Sequence, residues 1–206
     1  MAQQNVPTKG NLMATKKSLA LAKVGFDLLD RKRNILIREL MTLIERAAEI
    51  QDVIDDAYAS AYRALEQANI TLGFCDEISK MLPVEDSIQL DYRSIMGVEI
   101  PVVRMEKTQQ RQLCYGLSNT NARLDEAVAL FTRAKELTVE LAEIENSVYR
   151  LAVAIKKTKK RANALKNIMI PRFEESIRFI TDALDEKDRE EFSRLKVIKK
   201  QKTDKN

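Results

Sequence analysis

The chain has 206 residues, a net charge of +4, 45% apolar and 32% charged residues, and only five Gly and four Pro. That balance suits long amphipathic helices and excludes a loop-rich β sandwich or a disordered linker protein. The absence of His removes Ser-His-Asp and Cys-His nucleophiles and the usual His-bearing zinc sites.

Charge is segregated along the chain. Residues 1–46 carry nine Lys/Arg against four Asp/Glu, and 156–206 carry sixteen against nine. Residues 47–117 carry six against twelve, and 118–155 four against six. A chain that folds back on itself would bring both basic ends to one tip. The resulting dipole orients a molecule toward partners and weakens with salt. No apolar run is long enough to span a bilayer, and no secretory signal is expected at the start.

After a tail over residues 1–11, a helical signal covers 12–72. Its apolar stripe steps by three and four through Leu12, Leu19, Ala22, Phe26, Leu29, Leu36, Leu40, Leu43, Ala47, Ile50, Ile54, Ala57, Ala61, Ala64 and Ala68, with Thr15 and Arg33 as exceptions. A seven-residue period this long predicts a left-handed coiled coil. No Pro lies between Pro7 and Pro83 to break it. The stripe turns Ala-rich after Ile54, which allows closer approach but buries less apolar area per layer. Arg33 reads either as a register device within the coil or as a side chain reaching a partner.

Residues 73–117 form a spacer with a β-hairpin signal at about 88–104. Ile88, Leu90 and Tyr92 alternate with polar residues, as do Val98, Ile100 and Val102, and Ser94 to Gly97 supplies the turn. Pro101 is expected on an exposed edge, since it cannot donate to a ladder. A lone hairpin is marginal. It should therefore pack on the coiled coil or on a partner, and the stretch Ile70, Leu72, Phe74, Ile78, Met81 and Leu82 at the nearby helix end offers a platform. Cys75 and Cys114 flank the spacer outside any Cys-x-x-Cys motif and read as a buried thiol pair rather than a redox device.

The second helix is expected over 118–198, opening at the N-cap cluster Ser118 to Asn121. Its stripe reads Leu124, Ala127, Phe131, Ala134, Leu137, Leu141, Ile144, Val148, Leu151, Ile155, Thr158, Ala162, Leu165 and Met169. Phe131, Ala134 and Leu137 form a local stammer. Pro171 falls inside the pattern, and Phe173, Ile177, Ile180 and Leu184 resume it, so a kink near 171 is expected. An amphipathic piece, Phe192 to Ile198, leads into a basic tail over 199–206. At 1.5 Å per residue each helix would be about 90–120 Å long. The expected fold is all-α: a long antiparallel two-helix left-handed coiled coil with a short β-hairpin in the spacer. It forms a single elongated domain over 1–206, and a parallel dimer is the competing arrangement.

Nothing catalytic survives inspection. The glycines are isolated, so there is no phosphate loop. The adjacent acids Asp55–Asp56, Glu174–Glu175 and Glu190–Glu191 read as solvated helix faces rather than acid–base pairs. The basic run Lys156 to Arg161 surrounds a stripe position and has no interleaved aromatics for stacking bases. No metal and no cofactor is expected. A chain of this kind is a spacer, tether, arm or shaft, and the residues alone do not choose among them.

Two terminal blocks carry a resemblance. Pro7-Thr-Lys-Gly-Asn-Leu-Met, Lys16-Lys-Ser-Leu-Ala-Leu-Ala, Gly25 and Leu28-Leu-Asp-Arg-Lys-Arg33 lie at one end. Arg161-Ala-Asn-Ala-Leu, Ile170-Pro171, Ile177-Arg-Phe-Ile180, Arg189-Glu-Glu-Phe192 and Leu195-Lys-Val-Ile-Lys199 lie at the other. Together with Gly97-Val-Glu-Ile-Pro101 they resemble the D subunits of V/A-type (vacuolar/archaeal-type) rotary ATPases and ATP synthases over nearly the whole chain; Thr15 departs from the pattern.

The resemblance implies a central-stalk rotor shaft, one copy per complex, inside a ring of A and B subunits. It implies the F subunit of the central stalk bound lower down and a funnel-like subunit leading to the membrane ring. Torque would couple ATP hydrolysis or synthesis on A and B to proton or sodium transport. The chain itself would be non-catalytic, cytoplasmic and peripheral to the membrane, with no nucleic acid and no direct membrane insertion. Candidate contacts to the A/B ring are Lys9, Lys16, Lys17, Arg31, Lys32, Arg33, Lys156, Lys157, Lys160, Arg161, Arg189, Lys196, Lys199 and Lys200. Candidate contacts to the F subunit are Glu85, Asp86, Ile88, Leu90, Tyr92, Val98 and Ile100. The other readings are a coiled-coil tether or adaptor, and an RNA-binding helical arm.

Overall fold

The computed structural model describes residues 6–81, 87–105, 115–116 and 120–203, without the side chains of Asp76 and Thr203. The elements are α1 (Lys9–Leu72), the short α2 (Asp76–Ser79), β1 (Ile88–Ile95), β2 (Val98–Met105), α3 (Ala122–Ala164), a π-helical turn (Leu165–Met169) and α4 (Ile170–Thr203). The chain is a helical coiled coil with a two-stranded antiparallel hairpin. It divides into two compact units, Met1–Asn34 with Lys156–Asn206, and Ile35–Ile155.

The helix ends follow local chemistry. The Thr8 hydroxyl accepts from the Asn11 N–H at 3.2 Å and caps the start of α1. At the other end Gly73, with φ +78°, donates to the Asn69 carbonyl at 2.9 Å, the left-handed cap that stops a helix. Asn121 caps α3 by accepting from the Leu124 N–H at 3.0 Å; Ser118 and Asn119 of that cluster lie outside the described residues.

Within Ile35–Ile155, α1 and α3 run antiparallel. Arg46 pairs with Glu140, the Tyr58 and Thr138 hydroxyls are 3.0 Å apart, and Asn121 donates to Thr71 at 2.6 Å. Partner numbers fall as those of α1 rise. Within the other unit, Lys23 pairs with Glu174 at 2.9 Å, and the Lys166 ammonium lies 5.7 Å from the Phe26 ring centre. Each stripe residue of α1 from Leu12 to Ala68 is buried or half-buried, as is each one from Leu124 to Leu184. Leu36 and Leu151 are sealed from solvent, and burying such side chains contributes roughly 1.5–3 kcal/mol each. Ala61 and Ala68 are equally sealed, the close approach that small side chains allow.

The chain stays helical through Pro171, and the π-helical turn lies just before it. Leu165, Met169, Phe173 and Ile177 step by four three times running, where alternation of four and three would have placed the stripe on Arg172 and Ser176. The stripe has slipped by one residue. A π turn holds one residue more than an α turn. Here the Ile170 N–H reaches the Leu165 carbonyl five residues back, so the extra residue is absorbed and Phe173, Ile177 and Ile180 return inward. Past Leu184 the stripe stops, and every residue from Asp185 to Lys202 is exposed.

The hairpin differs from expectation in three ways. Its turn is only Met96–Gly97, with φ of 51° and 74°, the primed two-residue turn that suits twisted strands; Ser94 and Ile95 belong to β1. It packs on the coiled coil, one of the two expected arrangements, but not on the platform around Ile70 and Phe74. Ile100 is buried against Leu36 and Leu151, with Ile95, Val98, Leu40 and Leu43 packed around them. Leu36 of α1 and Leu151 of α3 close that apolar layer around Ile100 from both helices. Pro101 sits on an edge but is buried, because α3 covers that edge.

Candidate functional site

The register explains how α3 covers β2. Ile95 pairs with Val98 across the turn, and hydrogen-bonded pairs alternate from there, so Glu99, Pro101 and Val103 turn their backbone polar groups away from β1. Those groups meet α3. The Glu99 carbonyl accepts from Arg150 at 3.2 Å, the Pro101 carbonyl from Ser147 at 3.5 Å, and the Val103 N–H donates to Glu143 at 2.8 Å. Glu143, Ser147 and Arg150 are spaced along one helix face. The sequence marks them only as polar residues beside the stripe, and no pattern announces their role before the hairpin's register is known.

The same register sorts the two apolar rows of the hairpin onto opposite faces. Ile95, Val98 and Ile100 share the face that meets the helices, while Ile88, Leu90 and Tyr92 share the other. Ile88, Leu90 and Tyr92 are exposed, and the Arg150 guanidinium lies 5.5 Å from the Tyr92 ring centre. Ile100, at 1% exposure, has no surface left for a partner, and Val98 is half-buried beside it. Of the seven candidates on this side, three therefore present surface; Glu85 and Asp86 lie outside the described residues.

The fourteen basic candidates all fall in the unit formed by Met1–Asn34 with Lys156–Asn206. That unit carries twenty-three Lys/Arg against eleven Asp/Glu, whereas Ile35–Ile155 carries twelve against twenty. Lys9, Lys16, Lys17, Arg31, Lys156, Lys157, Lys160, Arg161, Arg189, Lys196, Lys199 and Lys200 are exposed, and Lys32 is half-buried. Thr158 is buried between its basic neighbours, so that run surrounds the seam. Arg33 is half-buried, and its guanidinium folds along its own helix onto Asp30 at 2.7 Å and Asn34 at 3.5 Å.

Chemistry of other kinds is not assembled among the described residues. No group of three or more acidic, Cys or His side chains is placed to hold a metal ion. No helix is long and apolar enough to cross a membrane. Cys75 is a half-buried free thiol, and Cys114 lies outside the described residues. Asp55, Asp56, Glu190 and Glu191 are exposed, and Glu174 pairs with Lys23. What the chain offers is surface: a basic unit and an acidic unit with an exposed apolar row.

Comparison with known proteins gives a consistent picture. The family model for the D subunit of ATP synthase matches residues 11–200. The D subunit of a V-type ATP synthase from Thermotoga neapolitana is 45% identical over 94% of this chain and 96% of its own length. The D subunit of an A-type ATP synthase from Methanosphaera stadtmanae is 39% identical over 94% and 92%, and that from Methanopyrus kandleri 37% over 94% and 84%.

Proposed function

Because the chain belongs to the D-subunit family of ATP synthases, we propose that it is the central rotor shaft of a V/A-type complex, carrying torque between an A/B catalytic ring and a membrane ion-carrying ring. The observation that carries this reading is the division of charge between the two units. Opposite net charges give each unit its own partners. The unit rich in Lys and Arg enters the A/B ring through the exposed basic residues named above. The exposed hairpin row, Ile88, Leu90 and Tyr92, binds the F subunit. The funnel-like subunit joins the chain to the membrane ring, and the assembly holds one copy.

ATP is bound and cleaved on A and B, so this chain's contribution is differential contact. Each angle of the shaft favours a different nucleotide state at each interface, and the coupling equals that difference in contact energy. The buried stripe within each unit supplies local stiffness. The ion moved is a proton or sodium, and the complex works on the cytoplasmic side of the membrane.

The test is truncation after Leu195 in the assembled complex. ATP-driven ion pumping should fall while the truncated chain still co-purifies with A and B. Full pumping by the truncated complex would overturn the proposal. The hairpin assignment has its own test: Leu90→Asp should lower the yield of the F subunit in the purified complex while the A/B ring stays intact.

A further inference from the structure

We propose that the outer edge of β1 is a strand-addition site. An extended segment of another protein chain, alternating apolar and polar residues and bearing a carboxylate, pairs there with the backbone of Ile88 to Ser94 as a third strand. The register decides which backbone groups are already used. Gln89, Asp91, Arg93 and Ile95 make the ladder with β2. Leu90, Tyr92 and Ser94 therefore turn their N–H and C=O groups the other way, and no other described element takes them up. Seven of the eight residues of β1 are exposed, so nothing lies over that edge.

The two edges of the hairpin differ. On β2 the outward groups of Glu99, Pro101 and Val103 are met by Arg150, Ser147 and Glu143. On β1 most of the usual defences of an edge strand are missing. It has no Pro and no Lys, and it pairs one-to-one with β2 from end to end without a bulge. Its eight residues exceed the average strand of about five to six, which makes a long template. An edge of this kind recruits a strand through main-chain bonds, and its side chains set which strand.

Those side chains select the occupant. A strand laid against β1 sets alternate residues beside Ile88, Leu90 and Tyr92, which are exposed and pair best with apolar or aromatic neighbours. Its other residues meet Asp91 and Arg93. Asp91 is already held by Arg104 at 2.9 Å, whereas Arg93 has no acid partner among the described residues, so a carboxylate fits beside it. A second copy of the chain fits poorly. Ile35–Ile155 carries twelve Lys/Arg against twenty Asp/Glu, and two such units repel. The inference rests on the hairpin meeting another subunit, as proposed above, and adds that backbone bonds make the contact.

The experiment compares amide hydrogen exchange, residue by residue along β1, in the purified chain and in the intact complex. In the chain alone Asp91 and Arg93 should exchange slowly and Leu90 and Tyr92 fast. In the complex Leu90 and Tyr92 should slow by about a hundredfold. Fast exchange at both in the complex would overturn the proposal. Leu90→Pro removes an outward N–H, while Leu90→Ala removes only side-chain atoms. The Pro variant should retain about tenfold less partner than the Ala variant, and equal losses would overturn strand addition. Slow exchange at Val102, which pairs with Asp91, will show that the Leu90→Pro hairpin is intact; if it is not, exchange in the unaltered complex decides. A p-benzoylphenylalanine crosslink from position 94 should reach a different chain, and an adduct to a second copy would overturn the proposal. Protected amides with F-subunit yield undiminished by Leu90→Asp would keep the added strand and remove its assignment to F. Unprotected amides with F lost in Leu90→Asp would do the reverse.

Discussion

The Val103 backbone N–H donates to the Glu143 carboxylate across a half-buried edge at 2.8 Å, so one side chain of α3 takes the place of a third strand. The group it satisfies is one that water cannot easily reach. Replacing Glu143 by Ala should cost about 1–3 kcal/mol, the penalty of an unmet donor. Glu143→Gln keeps an acceptor and should lose less than half of that. Urea denaturation of the three proteins, with hydrogen exchange at Val103, measures both.

The two faces of the hairpin should answer differently to mutation. Ile100→Ala removes a sealed side chain from the layer of Leu36 and Leu151 and should cost about 2–5 kcal/mol. Leu90→Ser, on the exposed face, should change stability by less than about 0.5 kcal/mol. Equal losses in denaturation midpoints would mean that the register is wrong.

The π-helical turn ties together a slipped stripe and a proline. Deleting Asn167 removes the extra residue, brings the stripes on either side back into one overall register and should convert Leu165–Met169 to α-helix. The Pro171 ring then clashes with the carbonyl four residues back, at about 3 kcal/mol. Adding Pro171→Ala to the deletion should recover most of that loss. Thermal unfolding of the single and double variants separates the two contributions.

Two glycines should shift stability in opposite directions. At Gly97, with φ +74°, a side chain is strained by about 1–2 kcal/mol, so Gly97→Ala should destabilise the hairpin. Gly25 is helical, and an added Cβ would meet only Leu165 Cδ1 at 3.8 Å, an ordinary contact. Gly25→Ala should stabilise by about 0.5–1 kcal/mol through reduced backbone entropy in the unfolded chain. Paired denaturation curves decide both signs.

The coiled coil was legible because its signal repeats: Leu36, Ile54, Leu151 and Ile180 each sit in a long period that only a helix face satisfies. The hairpin strands were legible for the same reason on a shorter scale. Where the hairpin docks was not. Alternation says that Tyr92 and Ile100 belong to apolar rows, but only the turn at Met96–Gly97 decides that these rows lie on opposite faces. The basic candidates were visible as charges, yet the folding of Arg33 onto Asp30 depends on rotamers that no pattern encodes. The slip after Met169 was present in the spacing but was masked by Pro171, whose usual consequence is a kink.

The bare end of α4 has a dynamic consequence. Helices in proteins draw most of their stability from a packed apolar face, and the turns after Leu184 gain nothing from burial. Phe192, Leu195 and Ile198 all stand exposed there. In the isolated protein this stretch should fray, with fast amide exchange that slows once something encloses it. On the proposal that this end enters the A/B ring, it arrives as a fluctuating tip rather than a preset plug, and the ordering required makes attachment weaker and more readily reversed than the contact area alone would give.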